Sequence, residues 1–320
     1  MNSISEIAHI LLQHDDFTIV THEIPDGDGI GSALALFSVL KKLEKNAKVL
    51  CADHIPAIYH HLKGYQEIVS PGTMDGKVKN VIYLDCSDKK RTGILASILE
   101  NHHLSINIDH HADNDFFAHY NYVDSRASAT GEIIFDIIQE MNISLDPAAA
   151  DALYTAIIMD TGAFQYGNTT AKTHRIAAQL MDMGADHDIA RMALFESKDR
   201  AEMFLIKKAL ESMDFSEDGR VCWMSLSYAD INSLGVAHLH PEGLINYARI
   251  IKGVEIGLLF REISPGLVKI GFRSRGNTDV AKIAAHFGGG GHRQAAGATQ
   301  KGDIMVVRDQ VLAYIKGVIG

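Results

Sequence analysis

The chain has 320 residues, 47% of them apolar, and a formal net charge of −10. That length accommodates two domains with separate cores. The acidic balance argues against a track for long nucleic acid, which leaves a basic footprint, and no apolar run approaches the roughly 20 residues that a membrane span needs. Cys51, Cys86 and Cys222 are odd in number, far apart and without a C-x-x-C pair. Neither a disulfide framework nor a zinc ribbon is indicated, and a reducing cytoplasm fits best.

In chain order, Ile4, Ile7, Ala8, Leu11 and Leu12 recur at helical spacing beside Glu6 and predict an amphipathic helix rather than a signal peptide. The run IVTHEIPDGDGIGSALAL, residues 19–36, then passes from a β-branched strand through Pro25 and glycines into a helix that reaches about residue 45. His22, Asp26 and Asp28 therefore sit where a strand hands over to a helix, the edge at which open α/β sheets bind ligands. Carboxylates two residues apart repel, and a His nitrogen beside Asp oxygens suits a divalent cation. An aspartate-capped helix with a solvated turn explains the same residues equally well.

Further strands are expected at 47–51, 80–88 (ending on Asp85), 104–114 (ending on Asp109, His110 and His111) and 120–124. A short helix is expected over 55–63, carrying His60 and His61. Helices are expected over 127–141, over 146–164 with Pro147 in the first turn and Asp160 near the end, and over 171–184, closed by Gly184. Strands alternating with helices imply an α/β domain over 1–185: a mostly parallel sheet with helices on both faces. Residues 186–212 are charged and helical in pattern and are expected to link domains. Strand-like runs at 220–227, 254–263 and 267–273, two short helices and a terminal helix over 304–318 predict a smaller α+β domain over 213–320.

Four strand or helix ends thus offer His22, Asp26, Asp28, Asp85, Asp109, His110, His111 and Asp160. The pairs His60–His61 and His102–His103 lack an Asp neighbour at a strand's carboxyl end and are expected at the surface. A mixed Asp/His set is too large for one tetrahedral ion and favours Mn²⁺-like or Mg²⁺-like coordination. Two such ions sharing a carboxylate form the arrangement that hydrolyses phosphate esters, activating a water that attacks phosphorus in line. Nucleotide motifs of other kinds fail: Ser32 stands where the third glycine of G-x-G-x-x-G belongs, and no P-loop is present.

H-x-x-x-D-x-D at 22–28, the strand-end Asp85, D-H-H at 109–111 and D-T-G at 160–162 together resemble the four motifs of the DHH phosphoesterase family. The tail GFRSRGNTDVAKIAAHFGGGGHRQAAGA resembles that family's associated C-terminal domain, so that the likeness covers roughly residues 17–300. By length and domain pair, the nearest subgroup is the oligoribonuclease and pAp phosphatase group.

The resemblance implies one ion held by His22, Asp26 and Asp85 and a second by Asp28, Asp85, His110 and Asp160, with Mn²⁺ first and Mg²⁺ or others as substitutes. It implies catalytic roles for Asp85, for Asp109, which would orient a histidine or a neighbouring loop, and for His111, which would contact the scissile phosphate and protonate the leaving oxygen. One departure shows: Ile24 stands where many relatives carry Asn before the Pro-Asp pair, which bears on loop contacts and not on the ligands.

For substrate the candidates are Arg273, Ser274 and Arg275, whose fork-shaped donors match phosphate, and the run Gly289, Gly290, Gly291 with His292, a potential anion nest. The family likeness agrees in giving this domain the grip on a terminal phosphate or sugar. Arg126 is a further phosphate candidate, with a surface salt bridge as its competing explanation, and Arg261 stands in the same class. The implied activity is a cytoplasmic phosphodiesterase/phosphatase that cuts short single-stranded RNA and dinucleotides such as pApA to mononucleotides, with the 3′-phosphate of pAp as a further target. No long duplex and no membrane are expected as partners, and a homodimer is allowed. The alternatives are a manganese-dependent inorganic pyrophosphatase and a catalytically silent nucleotide-binding protein.

Overall fold

The computed structural model describes residues 1–73, 78–235, 243–276 and 278–319, except the side chains of Thr73 and His292. The chain forms two compact units, Met1–Ser197 and Lys198–Gly320.

In the first unit, α1 (Ile4–Gln13) opens on a capping box between Ser3 and Glu6. Then follow β1 (Phe17–Val20), α2 (Gly27–Lys42), β2 (Ala47–Leu50), β3 (Asn80–Leu84), α3 (Leu95–Ile98), β4 (Leu104–Asp109) and β5 (Tyr120–Val123). The unit continues with α4 (Thr130–Glu140), α5 (Pro147–Asp160), α6 (Ala171–Asp182) and α7 (His187–Arg191). The five strands form one parallel sheet in the order β2-β1-β3-β4-β5. This is the expected α/β layout.

The central strands are buried on both faces, as a covered parallel sheet requires, with Thr18, Ser105 and Asn107 as polar residues on one of them. Phe17, Ile19, Ile82, Leu84, Ile106 and Ile108 pack with α1, α2, α4 and α5. The opposite face, with Val20, Val81 and Tyr83, is covered more thinly, by Leu95 and Leu99 around α3. Register pairs Val20 with Tyr83 and Leu84 with Ile108, so β1, β3 and β4 finish along one carboxyl edge. Two glycines then let the helices close over that edge. A Cβ on Gly31 of α2 would lie 2.2 Å from the Ala152 carbonyl of α5, and one on Gly131 of α4 would lie 2.6 Å from Ala156 Cβ.

In place of the helix expected over 55–63 there is a single 3₁₀ turn, Ala57–Tyr59, started by Pro56 and followed by Gly64 at φ +94°. The fixed proline and the left-handed glycine leave no room for a longer helix.

The second unit contains α8 (Arg200–Glu211), β6 (Asp214–Phe215), β7 (Val221–Leu226), α9 (Tyr228–Ser233), α10 (Asn246–Arg249), β8 (Ile256–Ser264) and β9 (Leu267–Ser274). It ends with α11 (Val280–His286), β10 (Gly290–His292), β11 (Ala295–Lys301) and α12 (Ile304–Ile319). Its sheet runs β10-β11-β9-β8-β7-β6, antiparallel except for β7 on β8. The segment 186–212 is divided between the units: α7 lies in the first, while Leu205, Ile206 and Ala209 of α8 are buried with Cys222 and Met224 in the second. Among the described residues no helix is long and apolar enough to cross a membrane.

The backbone carries one telling strain. Ile24 has φ +53° and is 58% exposed, a left-handed position that a β-branched side chain resists and Asn tolerates. Its side chain gains little burial in return. Ile24→Asn is therefore expected to stabilise the chain by about 1 kcal/mol, read as a higher midpoint in urea with an unchanged slope. A lower midpoint would mean that Ile24 makes contacts outweighing the strain.

Candidate metal centre

Each sequence-predicted ligand is delivered by the end of a regular element. His22 stands two residues after β1. Its Nδ1 lies 2.7 Å from the Glu23 carbonyl, so that nitrogen carries a proton and Nε2 is the one turned toward the carboxylates. Asp26 is the N-cap of α2: Oδ1 accepts from the amides of Asp28 and Gly29, each at 3.1 Å. The capping explanation of this carboxylate is thus correct, and it does not exclude the other one, because the same Oδ1 stands 3.6 Å from His22 Nε2.

Asp85 leaves β3 in a left-handed conformation, φ +57°, with its amide anchored on the Ile108 carbonyl. It is the centre of the cluster. Oδ2 lies 3.4 Å from His22 Nε2, and Oδ1 lies 3.6 Å from His110 Nε2. His110, at the end of β4, sets its Nδ1 3.3 Å from the Ala127 carbonyl and turns Nε2 toward Asp28 Oδ2 at 3.8 Å and Asp160 Oδ2 at 3.5 Å. Asp28 is 1% exposed, and its two oxygens accept the amides of Thr130 (2.6 Å) and Gly131 (2.8 Å) at the start of α4.

These residues fit a cation. His22, Asp26 and Asp85 bring one ligand atom each within 4.8 Å of one another, and so do Asp28, His110 and Asp160. The His–Asp separations of 3.4 to 3.8 Å are too long for strong hydrogen bonds. They match atoms that share one ion at about 2.1 Å each. Two imidazoles with their Nδ1 atoms engaged by backbone carbonyls, and their lone pairs aimed at carboxylates, are repulsive unless a proton or a metal lies between. A further trio, Asp85, His110 and His111, is also close enough. There, however, His111 Nδ1 is committed to Asp109 Oδ1 at 2.7 Å.

The electrostatics give the same picture. Although burial opposes it, contact with Asp26 and Asp85 pushes His22 up to about 11. Despite its own burial, the carboxylates of Asp160, Asp28 and Asp85 push His110 up to about 9. Burial pushes Asp160 up to about 7, with His110 opposing. Burial and the neighbouring Asp85 carboxylate hold Asp28 well above the usual range. Asp85 is also buried, yet the surrounding histidines hold it well below that range. Protons occupy the place of positive charge.

Asp109 faces away from this group. It is fully buried and accepts from His111 Nδ1 at 2.7 Å and from Asn114 Nδ2 at 2.6 Å. Asn114 and Asn107 in turn donate to the Cys86 carbonyl at 3.1 and 3.0 Å, tying the segment after Asp85 to the one after Asp109. Arg91 lies beyond what sequence reasoning found. Arg91 NH1 lies 3.1 Å from His111 Nε2, on a turn capped by Asp88. Its one signal in the sequence is position, six residues after a strand-end aspartate. Asn168 Nδ2 donates to the carbonyls of Ser128 (2.9 Å) and Asp160 (3.0 Å), a structural tie that its loop location hides.

The remaining candidates are placed differently. Arg126 is exposed and makes a two-point pair with Asp124 at 3.0 and 3.2 Å. His60 is exposed and stacks on Tyr65. His61 is not a free surface residue: it is half-buried, with Nε2 3.3 Å from Thr155 Oγ1 of α5. His102 is half-buried with Nδ1 2.6 Å from the Leu99 carbonyl, and His103 is exposed.

In the second unit, Ser274 is buried at the end of β9, where its hydroxyl donates to the Thr278 carbonyl at 2.7 Å. Arg273 NH1 donates to the Phe272 carbonyl at 3.0 Å, Arg275 is exposed, and burial lowers the half-buried Arg261. The glycine run is an edge strand rather than an open loop. Gly290, Gly291 and His292 pair with Gly297, Ala296 and Ala295, and a Cβ on Gly289 would lie 2.0 Å from the Gly297 carbonyl. Small residues are needed there for close strand approach. The His292 side chain lies outside the described residues.

Residues 16–157 match the DHH family, N-terminal domain, and residues 239–317 match the DHHA1 domain. The chain is 31% identical, over 93% of its length and 88% of the relative's, to the bifunctional oligoribonuclease and PAP phosphatase NrnA of Thermus thermophilus. It is 24% identical to the protein of that name from Bacillus subtilis over 92% of both chains. A solved structure, an exopolyphosphatase-related protein from Bacteroides fragilis, superposes with a TM-score of 0.92 at 25% identity, covering 98% of this chain and 96% of that one.

The cluster makes a signed prediction. Groups whose affinity for protons is raised (His22 at about 11, His110 at about 9, Asp160 at about 7) hold protons at neutral pH that a cation must displace. Uptake of Mn²⁺ is expected to release protons and to strengthen as pH rises from about 6 to 9. Calorimetry in buffers of different ionisation enthalpy reads the released protons. Uptake without proton release would show that the cation binds elsewhere.

Proposed function

The chain belongs to the DHH family and is a hydrolase of phosphoric esters, and we propose that its substrates are very short oligoribonucleotides and linear dinucleotides, cut to mononucleotides, with the 3′-phosphate of pAp as a second target. The observation that carries the reading is the division of Asp85, one oxygen toward His22 and the other toward His110. That division supports two cation positions sharing one carboxylate. The relatives' printed names support the substrate class. The acidic net charge of −10 suits a short substrate better than a long polyanion.

His22, Asp26 and Asp85 would hold one ion, and Asp28, Asp85, His110 and Asp160 the other, with Mn²⁺ suited to the mixed nitrogen and oxygen donors. Divalent ions there would supply Lewis-acid withdrawal of charge from phosphate oxygens and acidification of water.

The chain's own residues supply orientation. Glu23 O and Ala127 O hold the Nδ1 protons of His22 and His110, so that Nε2 is the nitrogen that would meet an ion once its own proton is displaced. Asp109 accepts the Nδ1 proton of His111, which leaves His111 Nε2 as the acceptor that Arg91 meets. Arg91 has no lone pair to offer, so this contact requires Nε2 to be unprotonated before substrate arrives. A phosphate oxygen entering between them would take the Arg91 donor and leave His111 Nε2 free to take up a proton, which, although burial opposes it, Asp109 and Asp85 favour, and so to face the scissile phosphate as a donor. In the second unit, Arg273, Arg275 and the glycine edge are the candidates for binding substrate, a reading that the family likeness supports. Cytoplasmic location is part of the same reading.

A panel of pApA, pAp, pyrophosphate and a longer RNA tests it. The dinucleotide is expected to be turned over fastest, with pAp next; pyrophosphate as the preferred substrate would overturn the assignment. Asp85→Ala is expected to abolish turnover of every substrate, and persistent product formation would defeat the shared-carboxylate scheme. Arg91→Gln is expected to lower kcat/KM for pApA by about 100-fold, the cost of losing one charge-stabilising donor. An effect of less than about twofold, against that expectation, would remove Arg91 from the site.

A further inference from the structure

Helix α4 has no side-chain cap of its own. Ala129 precedes it, and its first free amides, on Thr130 and Gly131, are taken by the Asp28 carboxylate, a cap supplied by another helix. The stretch 127–131 reaches the other candidate ligands as well. The Ala127 carbonyl stands 3.3 Å from His110 Nδ1, and Thr130 Oγ1 donates to Asp85 Oδ1 at 3.2 Å. The Ser128 carbonyl accepts from Asn168 Nδ2, which also donates to the Asp160 carbonyl. One five-residue stretch therefore touches partners of Asp28, Asp85, His110 and Asp160. Any displacement of it would move all four together.

What pins the stretch is Glu132, two residues into α4 and 2% exposed. Its Oε2 accepts from the Ser128 hydroxyl at 2.7 Å, the Ser128 amide at 3.3 Å and the Thr173 hydroxyl of α6 at 3.1 Å. Its Oε1 pairs with Lys172 Nζ at 3.0 Å, and that lysine also holds Asp136 at 2.6 Å. A glutamate reaching back over a helix start is ordinarily a capping device at the surface. Here it is buried, and a buried charge persists only where it is paired and hydrogen-bonded. The Glu132 set is thus a rigid bracket joining α6 to the start of α4.

We propose that Glu132 is a positioning residue of the metal centre, one that sets cation affinity by locking residues 127–131 while touching none of the candidate ligands. It rests on the metal-centre reading given above. A glutamate that merely stabilised α4 would affect unfolding and leave the cation affinity of the folded chain unchanged.

The test is Mn²⁺ titration of the full chain and of Glu132→Gln, followed by calorimetry, beside thermal unfolding in EDTA. The variant is expected to bind Mn²⁺ roughly 10-fold to 100-fold more weakly, the range for lost outer partners of metal ligands. Its kcat should recover as Mn²⁺ is raised while KM for pApA stays near the parent value. Ile138→Val, in the buried part of α4 away from the bracket, serves as a variant of lowered stability and should bind Mn²⁺ as the parent does. Equal affinity in Glu132→Gln and the parent overturns the proposal. Should Glu132→Gln fail to fold, Ser128→Ala and Thr173→Val each remove one donor to the carboxylate. Weakened Mn²⁺ binding in both upholds the bracket, and parental affinity in both sinks it. A parent chain that binds no Mn²⁺ would instead overturn the metal-centre reading itself, and the bracket with it.

Discussion

Everything in the first unit turns on an electrostatic conflict at one sheet edge. Asp28 and Asp85 are nearly inaccessible to water, Asp26 and Asp160 lie beside them, and His22 and His110 aim ring nitrogens at the group. Burying an ionised carboxylate without compensation costs far more than a fold can recover elsewhere. Protons relieve part of the conflict, as the raised affinities of His22, His110 and Asp160 show, and they do so with charge that a divalent cation supplies more completely. Asp85 carries the greatest burden, facing histidines on both sides from a backbone conformation at φ +57° that few residues adopt.

The fold creates that conflict by ordinary means. Parallel pairing in register ends β1, β3 and β4 together, so the residues after Val20, Leu84 and Ile108 must converge. Helix packing supplies the rest. Gly31 and Gly131 leave room for α5 to approach α2 and α4 within backbone distance, and that approach brings Asp160 to the carboxylates at the starts of the other helices. A side chain on either glycine would push α5, and Asp160 with it, away from the other helices. The geometry of the cluster is a packing result.

Much of this is readable in the sequence because the candidate ligands terminate regular elements, and element ends leave marks in a sequence. The strand-end position of Asp85, the D-H-H after β4 and the proline-started helix leading to Asp160 are such marks. Long-range partners leave none. Nothing near Arg91 announces that it meets His111 across twenty residues, and Asn168 reads as a loop residue until the Ser128 and Asp160 carbonyls are seen beside it. His61 was expected at the surface because its α5 partner, Thr155, lies 94 residues away. The glycine run hides its partner in the same way: its lack of side chains is what lets β10 lie against β11, a strand it meets only in the folded chain.

The candidate ligands are also structural parts, and this bears on what the site is before any ion arrives. Asp26 caps α2, Asp28 caps α4 from outside, His22 and His110 are held by backbone carbonyls, and Asp85 takes a hydroxyl from Thr130. Each therefore has a partner that fixes it without occupying every lone pair. A site so held loses little entropy on binding, because the ordering cost has already been met by folding. The same economy limits substitution: changing Asp28 removes a ligand candidate and also leaves two buried amides at the start of α4 unmatched, so its loss cannot be separated from damage to the helix. Asp85, whose side chain caps no helix, carries its electrostatic role with fewer structural duties, and is the position at which function and fold come apart most cleanly.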